Sequence, residues 1–141
     1  MPDNDRLIYL VFTAQHLLKK YLQDEFRKEK ILITPSHTGI LFSLEKNGPQ
    51  PMNALSKLLF IKNSTVTGLI DRLEKNQLVQ RNPSGSDRRK WNISITDKGI
   101  KEINRAKVII KRINDEIKKG NPASDVKAMQ KVLKGFFKKF A

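Results

Sequence analysis

Four charged residues lie in a row at the predicted tip of a β-hairpin. Asp87, Arg88, Arg89 and Lys90 follow the turn-forming segment N-P-S-G-S at 82–86. Two guanidinium groups at such a tip bury nothing that helps folding, but each is a permanently charged fork of donors that suits phosphate or a narrow groove of negative potential. Asp87 would repel phosphates unless it is paired, so its expected role is to pair with an arginine. The tip therefore predicts an anionic partner outside the protein.

Strand-like segments lie on both sides of this tip. L-V-Q-R at 78–81 precedes it, and after it Trp91, Ile93 and Ile95 alternate with polar residues. The alternation assigns Trp91 to the inner face, as a core residue rather than a platform on which bases stack. The whole segment 78–99 is thus predicted to be a charged hairpin that leads into a helix.

The helix before the hairpin has a polar side that is predicted to face outward. It is expected to begin near Asn63 or Ser64, with one of these side chains as its cap. Its apolar face is predicted to consist of Val66, Leu69, Ile70 and Leu73. Hydroxyl groups on the opposite side can donate to phosphates and base edges, although capping, solvation and pairing with neighbouring acids are ordinary roles for such residues as well. The candidate contact residues are Ser64, Thr65, Thr67, Gly68, Arg72 and Lys75.

The other segments are predicted to be helices that position this hairpin and its neighbouring helix. Thr34 is expected to cap a helix that begins at Pro35, and Pro51 precedes a second short helix over about 52–59. A short helix joined by a tight turn to a helix with an outward polar side is a helix-turn-helix pattern. Amphipathic repeats predict longer helices over about 5–28, 97–119 and 123–140. These long helices are rich in Ile, Leu and Phe, and a chain of 141 residues has too little surface to cover them all, so dimerisation is expected.

The balance of charge points to a polyanionic partner. The sequence holds 28 Lys and Arg against 14 Asp and Glu, a net charge of +14. Such a field attracts DNA, RNA or an acidic membrane surface. Residues 100–141 hold more than half of the excess, and their lysines are either a solvated helix face or contacts to flanking DNA.

Several classes of chemistry are not expected. The sequence has no cysteine, which excludes disulfides, thiolate catalysis and thiol-based switching. It has no paired catalytic carboxylates, nucleophile motif or phosphate-binding glycine loop, so we expect neither an enzyme nor a cofactor. His16 and His37 have no acidic cluster near them, so no metal site is expected. Without a signal peptide or a long apolar run, the protein is expected to be cytoplasmic and to have no membrane partner.

Two runs of the sequence match a known family in order and spacing. They are S-T-V-T-G-L-I-D-R-L-E-K-N-Q-L-V-Q-R at 64–81 and D-R-R-K-W-N-I-S-I-T-D-K-G at 87–99. Together they resemble the MarR family of bacterial winged helix-turn-helix transcription regulators. The resemblance implies a mainly α-helical fold with a small β-hairpin wing, in a single domain over 1–141. Within it, about 34–99 is the winged helix-turn-helix, and about 5–30 and 100–141 are the N- and C-terminal dimerisation helices.

The same resemblance implies a sequence-specific DNA-binding regulator, usually a repressor, that acts as a homodimer on a pseudo-palindromic operator of double-stranded DNA. The helix over 64–76 would enter the major groove, and Arg89, oriented by Asp87, would reach the minor groove. Family members often respond to a small-molecule effector, but no residue of this sequence can be assigned to such a site.

Two positions depart from the family pattern. Gly68 lies centrally on the outward side, where the family often has a larger side chain such as arginine. Glycine there removes a base contact and about 1 kcal/mol of helix propensity, so DNA specificity is expected to differ from that of close relatives. Gln77 stands where the family usually has a glycine in the left-handed conformation, and we expect Asn76 to adopt that conformation instead.

Two other functions are compatible with the sequence. One is a non-specific basic architectural or RNA-associated protein, in which charge alone binds the nucleic acid. The other is a ligand-binding or partner-binding module without DNA activity. Titration with operator and random duplex at several salt concentrations distinguishes the first from a regulator, and Arg89→Ala distinguishes the second.

Overall fold

A computed structural model of the chain describes residues 6–85 and 87–141, including all side chains except those of residues 87–89. This part divides into two compact units, the first ending at Ile109 and the second spanning Ile110–Ala141. The order of elements is α1 (Leu7–Lys28), α2 (Pro35–Asn47), β1 (Gln50–Pro51), α3 (Met52–Leu59), α4 (Asn63–Lys75), β2 (Val79–Ser84), β3 (Asp87–Ile95), α5 (Asp97–Lys118) and α6 (Ala123–Phe140). The predicted fold, mainly helical with a β-hairpin wing, is confirmed.

The core of the first unit joins the short helices, the hairpin and the start of α5. Its fully buried side chains include Ile40, Leu41, Leu55, Val66, Ile70, Leu73, Ile93 and Ile103. Gly99, in the first turn of α5, marks the closest approach, because a Cβ there would lie 2.1 Å from the carbonyl oxygen of Leu78. The backbone N–H of Thr96 donates to the same oxygen at 3.0 Å. Only glycine lets α5 pack this closely against the start of the wing.

The wing belongs to a three-stranded antiparallel sheet in the order β1-β3-β2. β2 and β3 pair along the hairpin, with Val79 opposite Ile95 and an irregularity between residues 83 and 84. β1 adds Gln50 opposite Ile93 on the other edge of β3. The sequence predicts only the two hairpin strands, because a two-residue strand is too short to show an alternating pattern.

The start of α2 follows from local chemistry, as predicted. Thr34 occupies the N-cap position and Pro35 the first turn. His37 completes a capping box, because its Nδ1 accepts a hydrogen bond of 3.0 Å from the backbone N–H of Thr34. At the start of α5, the hydroxyl of Thr96 plays the capping role and accepts a hydrogen bond of 3.0 Å from the N–H of Gly99.

The start of α4 lacks the predicted cap. The helix begins at Asn63, but the N-cap position is occupied by Lys62, which makes no side-chain capping hydrogen bond. Asn63 and Ser64, one of which we expected to cap α4, both lie within the helix. Lys62 therefore provides no side-chain cap for the first backbone N–H groups of α4.

Three helices end at a residue other than glycine in the left-handed conformation. The φ angle is +54° at Lys30, +55° at Phe60 and +62° at Gln77. At each end, the N–H of this residue donates to the carbonyl three residues back, and the following N–H donates to the carbonyl five residues back. These paired bonds are the Schellman motif, in which the left-handed position favours glycine.

The prediction that Asn76 takes the left-handed conformation is wrong. Its φ angle is −85°, and Gln77 takes the positive angle instead. The reason is the buried Leu78, whose N–H bonds the carbonyl of Leu73 at 2.9 Å. An apolar contact between these two positions accompanies a Schellman end, so the burial of Leu78 fixes the residue before it as the left-handed one.

Two helices carry large apolar side chains that are exposed in the single chain. In α1 these include Leu7, Ile8, Phe12, Leu17 and Tyr21, each exposed by 49% or more. In α6 they include Met129, Val132, Phe137 and Phe140, exposed by 47–76%. Despite this apolar content, none of the helices in the described ranges is long and apolar enough to cross a membrane.

Candidate nucleic-acid interface

α4 places its candidate contact residues on one exposed side. Its apolar residues Val66, Ile70 and Leu73 are buried in the core of the first unit, at 0–1% exposure. The six residues predicted from the sequence are all exposed: Ser64, Thr65, Thr67, Gly68, Arg72 and Lys75. The helix therefore presents hydroxyl groups near its start and two cations near its end, and both kinds of group bind phosphates and base edges.

Thr67 and Gly68 differ in what surrounds them. The hydroxyl of Thr67 donates to the carbonyl of Asn63 at 2.9 Å and lies 3.6 Å from the sulfur of Met52 in α3, so its proton is already used within the motif. An added Cβ at Gly68 would meet nothing within 4 Å. Packing therefore does not require glycine at position 68, where its exposed backbone allows a close approach from outside.

Arg81 in β2 ties the base of the wing to α4. Its guanidinium forms an ion pair with Asp71, and its Nε lies 3.8 Å from Oε2 of Glu74. The Arg81 side chain is 25% exposed, so this pairing is partly shielded from water. Asp71 and Glu74 would repel phosphates, and Arg81 neutralises them. Arg81 thus helps to hold the wing against α4 and reduces the negative charge on the exposed side of α4.

The pairing of Arg81 also determines whether the cations of α4 have carboxylate partners. The sequence leaves open whether Arg72 and Lys75 pair with neighbouring acids. The two acids of α4 face Arg81 instead, and within the described residues no ion pair joins Arg72 or Lys75 to a carboxylate. Both cations are therefore available to an external anion.

The sequence analysis did not single out Arg81. The sequence nevertheless indicates this role. Asp71 and Glu74 stand three residues apart on a helix, and the strand that follows it directly contains Arg81 as its basic residue. Such spacing puts both carboxylates on one side of the helix. Only the register of β2, however, shows that Arg81 turns toward that side.

The predicted wing residues lie at the tip of the observed hairpin. The backbone of Asp87, Arg88 and Arg89 begins β3, close to the bend at Gly85. Their side chains, like the whole of Ser86, lie outside the described part of the structure. Lys90 is described and exposed. The minor-groove role of these residues stays a prediction.

Trp91 is not the core residue that we predicted. It is 45% exposed, whereas Ile93, on the same face of β3, is fully buried. β1 pairs with β3 only as far as Asn92, so the sheet is two-stranded at Trp91. Alternation predicts which face of a strand a side chain lies on, but not how far the core extends along that face. Trp91 lies beyond the part of β3 that the core covers.

A buried histidine lies behind α4. His37 is 3% exposed, and its pKa is lowered from 6.5 to about 4, first by burial and second by the charge of Arg72. Its Nδ1 accepts the hydrogen bond from Thr34, which requires an unprotonated nitrogen. His37 is therefore a neutral structural residue at pH 7. Across residues 6–85 and 87–141, no cluster of His, Asp or Glu could hold a metal ion.

Comparison with known proteins identifies the family. A profile of the MarR family matches residues 33–91, the segment that contains the helix-turn-helix and most of the wing. Over 106 residues the chain is 31% identical to the HTH-type transcriptional regulator MhqR of Bacillus subtilis strain 168, a match that covers 74% of this chain and 71% of MhqR. The chain belongs to the MarR family. This confirms the family predicted from the sequence, and its members are transcriptional regulators rather than enzymes.

Two further proteins extend the comparison of this MarR-family chain. The HTH-type transcriptional repressor MdtR of Bacillus subtilis strain 168 is 32% identical over 101 residues, which are 70% of this chain and 65% of MdtR. The chain thus spans slightly less than two thirds of the length of MdtR. The crystal structure of the Staphylococcus aureus MepR-DNA complex superposes with a TM-score of 0.84 at 23% identity, over 94% of this chain and 96% of MepR. That superposition confirms the winged-helix fold.

Proposed function

We propose that this protein is a cytoplasmic repressor that binds a pseudo-palindromic operator in double-stranded DNA as a homodimer. The observation that carries the proposal is the exposed polar side of α4, which Arg81 ties to the wing. In a chain of net charge +14, both elements would attract a polyanion. MdtR, a relative, is named a repressor, and MepR, which has the same fold, was crystallised with DNA.

The proposed contacts divide between two grooves. α4 would enter the major groove, where its start brings hydroxyl groups to base edges and its end brings cations to phosphates. The wing would enter the adjacent minor groove, where arginine is attracted by enhanced negative potential. The residues assigned to these contacts are Ser64, Thr65, Thr67, Gly68, Arg72 and Lys75 on α4, and Asp87, Arg88, Arg89 and Lys90 on the wing.

The homodimer is supported by the exposed apolar sides of α1 and α6. Side chains such as Phe12 in α1 and Phe140 in α6 are 69% and 76% exposed, which is costly for a protein that stays monomeric. Burying them against a second copy would also hold two α4 helices apart by about one turn of B-DNA, roughly 34 Å. Any small molecule that changes this separation would act as an effector.

The test begins with selection of a binding sequence from a random duplex library by the full chain. Its affinity is then compared with that of a scrambled duplex by fluorescence anisotropy at several salt concentrations. We expect the selected duplex to bind about 10³-fold more tightly, with affinity that falls steeply as salt rises. Equal affinity for both duplexes would refute the proposal and favour a non-specific basic protein.

A pair of arginine variants tests the wing. Arg89→Ala should weaken binding to the selected duplex at least tenfold, since a specific arginine contact contributes about 1–3 kcal/mol. Arg27→Ala removes an exposed arginine from α1 and serves as the matched control, with a change of less than about threefold. Equal losses in the two variants would remove Arg89 from the minor groove.

A further inference from the structure

Four lysines form one line along α6. Lys127, Lys131, Lys134 and Lys138 are all exposed. Their spacing of four, three and four residues places them within an arc of about 60° on the helix surface and along about 16 Å of its length. We propose that this lysine stripe binds the phosphate backbone of a second DNA duplex, outside the operator. The inference rests on the proposed function, in which α4 occupies the operator, and adds a second DNA-binding surface to it.

The lysine stripe differs from the cations of α5 in having no carboxylate partner. In α5, Lys107 pairs with Glu45 and Lys111 pairs with Asp115. Within residues 6–85 and 87–141, no ion pair joins a lysine of the stripe to an acid. The acid of α6, Asp125, lies two residues before the stripe begins and does not face it. The four ammonium groups are therefore available to an external anion.

The lysine stripe is unfavourable for the helix that carries it. Like charges three or four residues apart lie next to each other on a helix and destabilise it, and each lysine of the stripe has such a neighbour. The helix dipole favours a cation in the last turn, where Lys138 lies, but not near the start, where Lys127 lies. A polyanion bound along the stripe would remove the repulsion between the lysines.

The apolar residues of α6 lie on the side opposite the lysine stripe. They include Val126, Leu133 and Phe136, and this is the side assigned to the dimer. The proposed homodimer would therefore leave the stripe facing outward, with residues such as Ser124 and Gln130 beside it. A helix that lies on a membrane inserts its apolar side into the lipid, which this dimer would prevent. A duplex needs no apolar contact, so the dimer favours DNA as the partner.

A DNA duplex matches the lysine stripe in shape and charge. It carries one negative charge for about every 1.7 Å of its axis, so about 16 Å of duplex presents roughly nine charges to four lysines. Lysines that contact phosphates carry no sequence information, so any duplex would bind. With α4 on the operator, each stripe of the dimer would hold a neighbouring segment of DNA.

Capture of a second duplex tests the proposal. The full chain is bound to the selected operator duplex on beads, unbound protein is washed away, and a fluorescent duplex of random sequence is added. The wild type should retain the fluorescent duplex at low salt and release it as the salt concentration rises. Replacing all four lysines of the stripe by glutamine should reduce retention by at least about tenfold. Replacing all four by arginine keeps the charge and should preserve retention.

A second glutamine variant controls for net charge. It replaces four exposed lysines outside the stripe, Lys19, Lys20, Lys118 and Lys119, and so has the same net charge as the stripe variant. This control should retain the fluorescent duplex as the wild type does. The two variants should also have equal affinity for the operator duplex alone in fluorescence anisotropy, because neither changes a residue of α4 or the wing.

Several outcomes would overturn the proposal. One is failure of the operator-bound wild type to retain the fluorescent duplex, and another is equal loss in the two glutamine variants, which would assign capture to net charge. Weaker operator binding by the stripe variant than by the control would place the stripe on the operator itself. Stripe-dependent binding to vesicles of equimolar phosphatidylcholine and phosphatidylserine, without capture of a duplex, would make the partner a membrane. Absence of specific operator binding by the wild type would refute the proposed function and is measured separately.

Discussion

Acidification should destabilise this protein through His37, and His37→Gln should remove the effect. The folded protein holds the pKa of this histidine at about 4, whereas its ordinary value is 6.5. Between about pH 6.5 and pH 4, His37 therefore binds a proton in the unfolded chain but not in the folded chain. Stability falls as the pH drops from about 6.5 to about 4, and then remains at the lower level.

The size of this effect follows from the shift in the pKa. Each unit of pKa difference between the folded and unfolded states corresponds to 1.36 kcal/mol, so the full loss is about 3 kcal/mol. About 2 kcal/mol of it should be lost between pH 7 and pH 5. For a domain of ordinary stability, this is a large fraction of the free energy of unfolding.

The glutamine variant is chosen to keep the cap while removing the titration. Glutamine at the third position of a capping box can accept the hydrogen bond from Thr34 that His37 Nδ1 accepts. Urea denaturation at pH 7, 6 and 5, at one fixed protein concentration, gives the free energy of unfolding of each protein. The wild type should lose about 2 kcal/mol more than His37→Gln between pH 7 and pH 5. Parallel loss in the two proteins would refute the role assigned to His37.

Three further predictions concern α4 and its neighbours. Gly68→Ala should stabilise the protein by about 1 kcal/mol, because the added Cβ meets nothing within 4 Å. Gly99→Ala should destabilise it by about 3 kcal/mol, because the added Cβ would lie 2.1 Å from the carbonyl oxygen of Leu78. Urea denaturation measures both, and equal effects would contradict the packing described. Arg81→Met should weaken operator binding about tenfold without changing the dimer mass in light scattering, because it leaves Asp71 and Glu74 unpaired beside phosphates. Wild-type affinity would show that neutralising these acids has no role in binding.

Short-range chemistry made several features predictable from the sequence, although the predicted cap of α4 is absent. The predicted cap of α2 at Thr34 depends on side chains within three residues of the backbone groups they serve, and α3 starts directly after Pro51, as predicted. The exposed side of α4 follows from helical periodicity in the same way. These features place the six candidate residues of α4 correctly on one surface.

Where distant contacts decide the structure, prediction from the sequence failed. Trp91 was assigned to the core because strand alternation does not show where the supporting body ends. Asn76 was expected in the left-handed conformation because the burial of Leu78, which fixes the end of α4, is a tertiary contact. The same holds for Arg81, whose partners lie on another element.

The central claim is that two recognition helices, fixed in one dimer, bind two half-sites on one duplex. Inserting about 5 base pairs between the half-sites of the selected operator rotates one of them by half a turn, away from its α4 helix. Affinity for this duplex, measured by fluorescence anisotropy, should fall to that for scrambled DNA. Affinity equal to that for the unmodified operator would contradict the claim.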